Sequence, residues 1–354
     1  MIIRRSGRSY ASLCGALALI ASTANAQTVL APRAVPNSNV PEGFHVARVI
    51  LLGTGGGPRL RANRAQISAV LEVDGRPYLV DVGAGVVSRL TEAGIDTRFV
   101  QRVFITHNHT DHYNGILEFQ SFVWSDRNQS NLDDPPVQVF GPRRTQFIVE
   151  KSLQTFSVAE QTHGSMPGTA PRMPASGMFT TTEITNDGVV YSDDLVKVTA
   201  VRNTHFDNYP RDSVAIISGD ESYSYRFDTP AGSVVFTGDT GCSEAVEDLA
   251  EGADLLVSEV VTGAAPGAAP PRGNSVQAAP VQSRVCSGHL SSEEVGLLAS
   301  RAKVGAVLLN HLVPGLDDEK DMSLYTIGAL KHFKGPVIVG RDLSEYDLVK
   351  AASR

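Results

Sequence analysis

The chain has 354 residues, is 42% hydrophobic and 19% charged, and carries a formal net charge of −7. It is too apolar for a disordered protein and long enough for one large domain or two. An acidic balance argues against a nucleic-acid partner, although local basic patches stay open.

The opening MIIRRSGRSY contains Arg4, Arg5 and Arg8 and no acid. The apolar run ASLCGALALIAS that follows is too short to span a bilayer as a helix. With Ala24-Asn25-Ala26 as an A-x-A-like cleavage site, residues 1–26 read as a secretory signal peptide. Its removal takes away three arginines and moves the charge from −7 to about −10. The mature protein is therefore expected to be periplasmic or secreted and free of the membrane. Arg4-Arg5 is only a fragment of a twin-arginine signal, so the export route stays open. Cys242 and Cys286 are the cysteines left after cleavage, too few for a structural zinc site.

Residues 27–44, with several prolines and asparagines, read as an exposed leader, and 45–354 as a single domain. A short apolar run at 46–52 predicts a strand ending at Gly53-Thr54-Gly55-Gly56-Gly57-Pro58. Residues 67–73 and 78–82 form a hairpin across Asp74-Gly75, a strong turn signal. Helical spacing covers 84–93, 100–105 is apolar and β-rich, and helical periodicity resumes over 113–123. A second round places a strand at 137–140, a helix at 143–158 and a loop rich in Gly, Pro, Met and Ser at 161–177. Strands are expected at 195–201, 213–218, 223–227, 233–237 and 254–259, with a helix at 244–250. Residues 262–284, dominated by Ala, Pro and Gly without periodicity, read as an inserted loop. A helix at 291–302 has Ser291 or Ser292 as its cap and acids in its first turn. Strand 304–310, helix 325–333 and strand 337–339 complete the chain. Two rounds of sheet and helix predict layers, with helices outside and two sheets inside.

The segment Thr106-His107-Asn108-His109-Thr110-Asp111-His112 holds three of the nine histidines. In an extended segment residues two apart face one side, so His107, His109 and Asp111 converge, with His112 at the start of the next helix. Imidazole and carboxylate suit zinc and similar divalent ions, and chance is a poor explanation for H-x-H-x-D-H. Further ligand-type residues follow predicted strands: His205 in Asn203-Thr204-His205, Asp239 in Thr237-Gly238-Asp239, and His311 after Leu309-Asn310. The glycine run at 53–57 resembles a phosphate loop, but no Gly-Lys-Ser/Thr follows and G-x-G-x-x-G spacing is not met, so a tight turn is expected there. Arg59, Arg61 and Arg64 come next, and Arg64 is the candidate to meet an anionic substrate.

From about residue 46 to the C-terminus the chain resembles the metallo-β-lactamase superfamily, whose H-x-H-x-D-H is followed by His, Asp and His. LLGTGGGPRLRANR, FTGDTGCSEAVEDLAEGADLLVSEV and GHLSSEEVGLLASRAKVGAVLLNH are similar to its ribonuclease Z and arylsulfatase-like branch. The resemblance implies an α/β fold, a four-layer αβ/βα sandwich, and two divalent metal ions, with zinc favoured over manganese or iron. It implies His107, His109 and His205 on one ion, Asp111, His112 and His311 on the other, and Asp239 between them. Asp81 matches an aspartate that orients the metal loop, and His289 a histidine beside the metals that does not ligate them. The chemistry implied is ester hydrolysis by metal-bound hydroxide, with Asp111 orienting it and His289 as proton donor to the leaving oxygen. Cys242 lies three residues after Asp239 and Cys286 three before His289, so their loops should meet. A disulfide and free thiols are equally open on spacing alone.

Ribonuclease Z matures tRNA in the cytoplasm and uses an arm rich in Gly and basic residues. Here, in a chain taken as exported and acidic, Arg172 is the one Lys or Arg of loop 161–177. The expected substrate is therefore a small phosphodiester or aryl sulfate ester, with no nucleic-acid partner. A lactonase, a β-lactamase-type hydrolase and a ribonuclease Z-like nuclease are the alternatives, and a metal-binding protein is the non-enzyme reading. A homodimer is compatible with the sequence.

Overall fold

The computed structural model describes residues 29–31, 43–130, 134–165, 173–262, 286, 288–317 and 320–352. The signal peptide, most of the leader and 263–284 of the inserted loop lie outside the described residues. In chain order the strands are β1 (Val29–Ala31), β2 (Phe44–Gly53), β3 (Ser68–Val73), β4 (Arg76–Val80), β5 (Arg102–Phe104), β6 (Val137–Gly141), β7 (Phe179–Glu183), β8 (Gly188–Ser192), β9 (Lys197–Arg202), β10 (Tyr223–Thr229), β11 (Gly232–Phe236), β12 (Leu255–Val261), β13 (Ala306–Val313), β14 (Val337–Val339) and β15 (Ser344–Ala351). The α-helices are α1 (Val86–Glu92), α2 (Thr110–Tyr113), α3 (Ile116–Ser130), α4 (Thr145–Gly164), α5 (Val214–Ser218), α6 (Glu244–Leu249), α7 (Ser292–Arg301) and α8 (Ala329–His332).

Two sheets result. One runs β1-β15-β2-β3-β4-β5-β6-β7, the other β14-β13-β12-β11-β10-β9-β8. Their facing sides share a core in which Leu71, Tyr78 and Phe104 meet Tyr225, Phe227 and Val257. The opposite face of the first sheet packs on α1, α3 and α4 through Leu90, Phe119 and Val149. That of the second packs on α6 and α7 through Val246, Val295 and Leu298. Helix, sheet, sheet and helix layers make an α/β sandwich. β12 and β13 are buried on both sides, which is why they read as nearly unbroken apolar runs. Among the described residues, no helix is long and apolar enough to cross a membrane.

The pairing places the site. β4, β5, β6 and β7 are parallel neighbours, as are β11, β12, β13 and β14. The carboxyl ends of β4 and β5 therefore open at one rim of the first sheet, and those of β11, β12 and β13 at one rim of the second. Tyr223 N donates to Thr106 O (2.9 Å) and Tyr225 Oη to Ile105 O (2.7 Å), tying the two rims together.

Several expectations need correction. Residues 29–31 of the leader form an edge strand, because β15 offers unpaired backbone groups that β1 takes up. Residues 213–218 are helix α5, not a strand. The Ser213 side chain accepts from Ile216 N and Gly219 closes the turn in the left-handed region, so caps outweigh β-branched composition. α4 runs to Gly164, into the expected loop. The helix expected at 325–333 is split into a 3-10 turn, Met322–Tyr325, and the short α8. β7, β8 and β15 were not foreseen. β8 is half exposed and β15 ends in exposed residues, so neither shows a clean apolar pattern. Ser291 caps α7 in a capping box with Glu294.

Candidate metal centre

β5 delivers the chain into Thr106–His109, and α2 then turns Asp111 and His112 inward, both buried. Asp81, at the end of β4, holds this loop. Its Oδ1 accepts from Thr106 N (2.8 Å) and its Oδ2 from His112 Nδ1 (2.8 Å). That bond leaves His112 Nε2 facing the centre. His205 follows β9 and donates through Nδ1 to Gly288 O (2.6 Å), so its Nε2 also faces inward. Asp239 lies beyond β11, and His311 sits within β13 at positive φ.

Three ring nitrogens meet: His107 Nε2 lies 2.9 Å from His109 Nδ1, which lies 3.2 Å from His205 Nε2. The outward nitrogens of these rings face Thr106 Oγ1 (3.1 Å), Tyr209 Oη (3.3 Å) and Gly288 O. A second group is formed by Asp111, His112 and His311, with His311 Nε2 3.4 Å from Asp111 Oδ2. Asp239 lies between them: its Oδ1 is 3.2 Å from His311 Nε2 and 3.5 Å from His112 Nε2, and its Oδ2 is 3.8 Å from His107 Nε2. The structure thus brings all seven ligand-type residues foreseen in the sequence to one place.

The electrostatics suit cations. Burial holds His107 well below the ordinary imidazole range and pushes His205 down to about 3, so both rings are neutral and offer lone pairs. Lone pairs aimed at one another repel unless a cation lies among them. Burial alone would also lower His112 and His311, but Asp81, Asp239 and Asp111 outweigh it and raise both. Without a cation those rings would take up protons, so cation binding and proton release are linked. His112 Nε2, His311 Nε2 and Asp239 Oδ1 are buried without a hydrogen-bond partner. A buried polar atom left this way is costly, and a divalent ion removes the cost. The donor set of imidazole and carboxylate fits such ions.

Beside the centre, His289 Nδ1 donates to Glu259 Oε2 (2.7 Å) and lies 3.8 Å from Asp239 Oδ2. Burial by itself would lower His289, but Glu259 raises it to about 9, so the ring carries a proton at neutral pH. Glu259 was not singled out in the sequence. A carboxylate near the end of an otherwise apolar strand was the available signal. Tyr209 was also missed, and nothing in its local sequence marks it. The glycine run is a close-fitting wall: Gly57 N donates to Asp111 Oδ2 (2.8 Å), and a Cβ on Gly56 would lie 2.6 Å from His311 Nδ1. Asp342 pins the same loop by accepting from Thr54 N and Ala65 N. Arg64 donates to Thr54 Oγ1 (2.8 Å) and Arg61 to Pro314 O (2.7 Å), so both brace the loop, while Arg59 is exposed. Cys242 and Cys286 are joined by a disulfide.

Residues 76–312 match the family model of the β-lactamase superfamily domain. A ribonuclease Z from Mycolicibacterium gilvum (strain PYR-GCK) is 29% identical over 300 residues, which cover 83% of this chain and 94% of that protein. Among solved structures, the metallo-β-lactamase fold protein YhfI from Bacillus subtilis shares the fold at a TM-score of 0.61 and 20% identity, covering 85% of this chain and 99% of that one. Human tRNase Z, short form, shares it at a TM-score of 0.56 and 17% identity, covering 84% and 98%. These relatives overturn the expectation of a small phosphodiester or aryl sulfate ester as substrate and of no nucleic-acid partner, because similar proteins along nearly their whole length are named ribonuclease Z. Net charge misled the reading: it sums the entire surface, whereas a polyanion meets only the part around the site. The chain belongs to the β-lactamase superfamily, and it is a metal-dependent hydrolase of that fold.

Proposed function

We propose that the chain is a ribonuclease Z-like nuclease that hydrolyses a phosphodiester bond of RNA, with a tRNA precursor as the substrate class. The observation that carries this reading is the similarity to ribonuclease Z along 94% of that relative's length. It is supported by the convergence of seven ligand-type residues beside His289, a histidine hydrogen-bonded to Glu259.

In this reading His107, His109 and His205 would hold one divalent ion and Asp111, His112 and His311 a second, with the Asp239 carboxylate lying between the two groups. Zinc suits the histidine-rich set best. The chemistry such ions supply is activation of water and neutralisation of charge on the phosphoryl group. His289 gives its proton to the departing oxygen, and Glu259 orients the ring and favours its protonated form. The carboxylate of Asp111, which would orient the attacking water, is held in place by Gly57 N. Arg143, exposed and fixed beside the metal loop by Asn108 Nδ2 donating to its carbonyl (2.7 Å), and exposed Arg59 offer positive charge to a phosphate backbone.

The test is cleavage of a tRNA carrying a 3′ extension by zinc- or manganese-loaded protein, with the cut mapped on a sequencing gel. A defined 3′-terminal product, abolished by chelation, is expected. Intact RNA under conditions where the same sample hydrolyses a small ester would overturn the proposal.

A further inference from the structure

We propose that the Cys242–Cys286 disulfide is a positioning crosslink of the metal centre, so that reducing it weakens the cation site built on His205 and spares the site built on His112 and His311. The inference rests on the metal assignment above. It does not depend on RNA being the substrate.

His205 Nδ1 donates to the Gly288 carbonyl at 2.6 Å, and this bond turns the Nε2 lone pair toward His107 and His109. A backbone carbonyl orients a ring only as firmly as its own backbone is held. Around Gly288 that backbone is unusual: Cys286 has φ +56° and Gly288 φ +124°, both in the left-handed region. A non-glycine residue persists there only when its surroundings hold it. Among the described residues, side chains on other elements hold it in part. Asn208 Nδ2 donates to Cys286 O at a long 3.3 Å, and His289 reaches Glu259 one residue further on. The covalent hold is the disulfide to Cys242, on the loop that follows β11. Gly241, next to Cys242, lies directly under this backbone: a Cβ there would be 2.7 Å from Cys286 O and 3.0 Å from Gly288 N. The bond therefore clamps the carbonyl that sets the His205 ring.

The second site is anchored differently. His112 is held by Asp81, Asp111 by Gly57 N, and His311 by the backbone of β13. Asp239 keeps its own anchors, since Ser222 Oγ donates to its carbonyl and Thr240 N to Glu259 Oε1. Losing the crosslink should therefore reach one cation site and leave the other. Because Cys242 is exposed, the bond is open to a dithiol. Two electrons and two protons pass to the S–S bond, Cys242 and Cys286 become thiols, and the dithiol closes to its own disulfide.

The freed sulfurs would lie beside Glu294 Oε1, now 3.6 Å from Cys242 Sγ and 3.2 Å from Cys286 Sγ, and could themselves bind zinc. The experiment removes that ambiguity by capping them. Zinc affinities are measured by competition with a chromophoric chelator for three forms: the oxidised full chain, the chain reduced with dithiothreitol, alkylated with iodoacetamide and desalted, and Cys242→Ser/Cys286→Ser. The expected result is two sites in the oxidised protein. In both crosslink-free forms one of them should be weakened about 10–100-fold, the usual effect of losing a hydrogen-bond partner behind a ligand. The other should be unchanged, and reoxidation before alkylation should restore the first. If the serine variant does not fold, the reduced and alkylated wild type, prepared from folded protein, decides the matter. Two unchanged affinities, or two equally weakened ones, overturn the proposal. Fewer than two sites in the oxidised protein would instead overturn the metal assignment beneath it.

Discussion

Replacing Asp81 by asparagine tests how the protein keeps His112 in the tautomer a cation requires. Asp81 has φ +59°, a region asparagine also tolerates, so the backbone should survive the change. The carboxylate accepts on both oxygens: Oδ1 from Thr106 N and Oδ2 from His112 Nδ1, each at 2.8 Å. An amide has one acceptor oxygen and one NH2. If the oxygen faces Thr106, the NH2 faces His112 Nδ1, and the ring must move its proton to Nε2, where a cation would bind. If the oxygen faces His112, the buried Thr106 N–H meets another donor, at a cost of about 1–3 kcal/mol. Either orientation damages the metal loop. We expect affinity for one of two zinc ions to fall about 10–100-fold, equal to about 1.4–2.7 kcal/mol. Competition titration measures this, with circular dichroism as the check on folding. Unchanged affinity for both ions in a folded Asp81→Asn protein would refute the role given to this carboxylate.

Two further outcomes are expected. His289→Ala should retain both ions by elemental analysis yet turn over about 10²–10⁴-fold more slowly, with the deficit shrinking on nitrophenyl phosphodiesters, whose leaving group needs little protonation. Loss of an ion, or equal slowing whatever the leaving group, would contradict the proton-donor role. In chelator-treated protein the His289–Glu259 pair should contribute stability that is complete below about pH 6.5, the ordinary histidine value, and lost as pH rises through about 9. Thermal unfolding across that window should therefore fall more steeply for the parent protein than for His289→Ala, and parallel curves would count against the pairing.

Much of the site is legible along the chain because its chemistry is local. His107, His109, Asp111 and His112 occupy one short segment after an apolar strand, His205 and Asp239 each follow a strand, and His311 lies near the end of β13. A residue type at a strand end can be read from sequence. The layered arrangement is legible for the same reason, since burial on one or both faces writes itself into apolar periodicity. What the sequence could not show depends on atoms brought together from distant segments. Glu259 gains its role only because the segment before α7 returns alongside the end of β12, where Val261 N donates to Leu290 O, and so brings His289 to its carboxylate. Asp342 pins the glycine loop from almost the end of the chain. α5 looked like a strand because its residues are β-branched, and only the capping bonds of Ser213 and Gly219 decided otherwise. Net charge could not exclude a nucleic-acid partner, because it carries no information on where charges lie. The Cys242–Cys286 bond was undecidable from spacing, since a disulfide depends on how two loops separated by 44 residues meet in space.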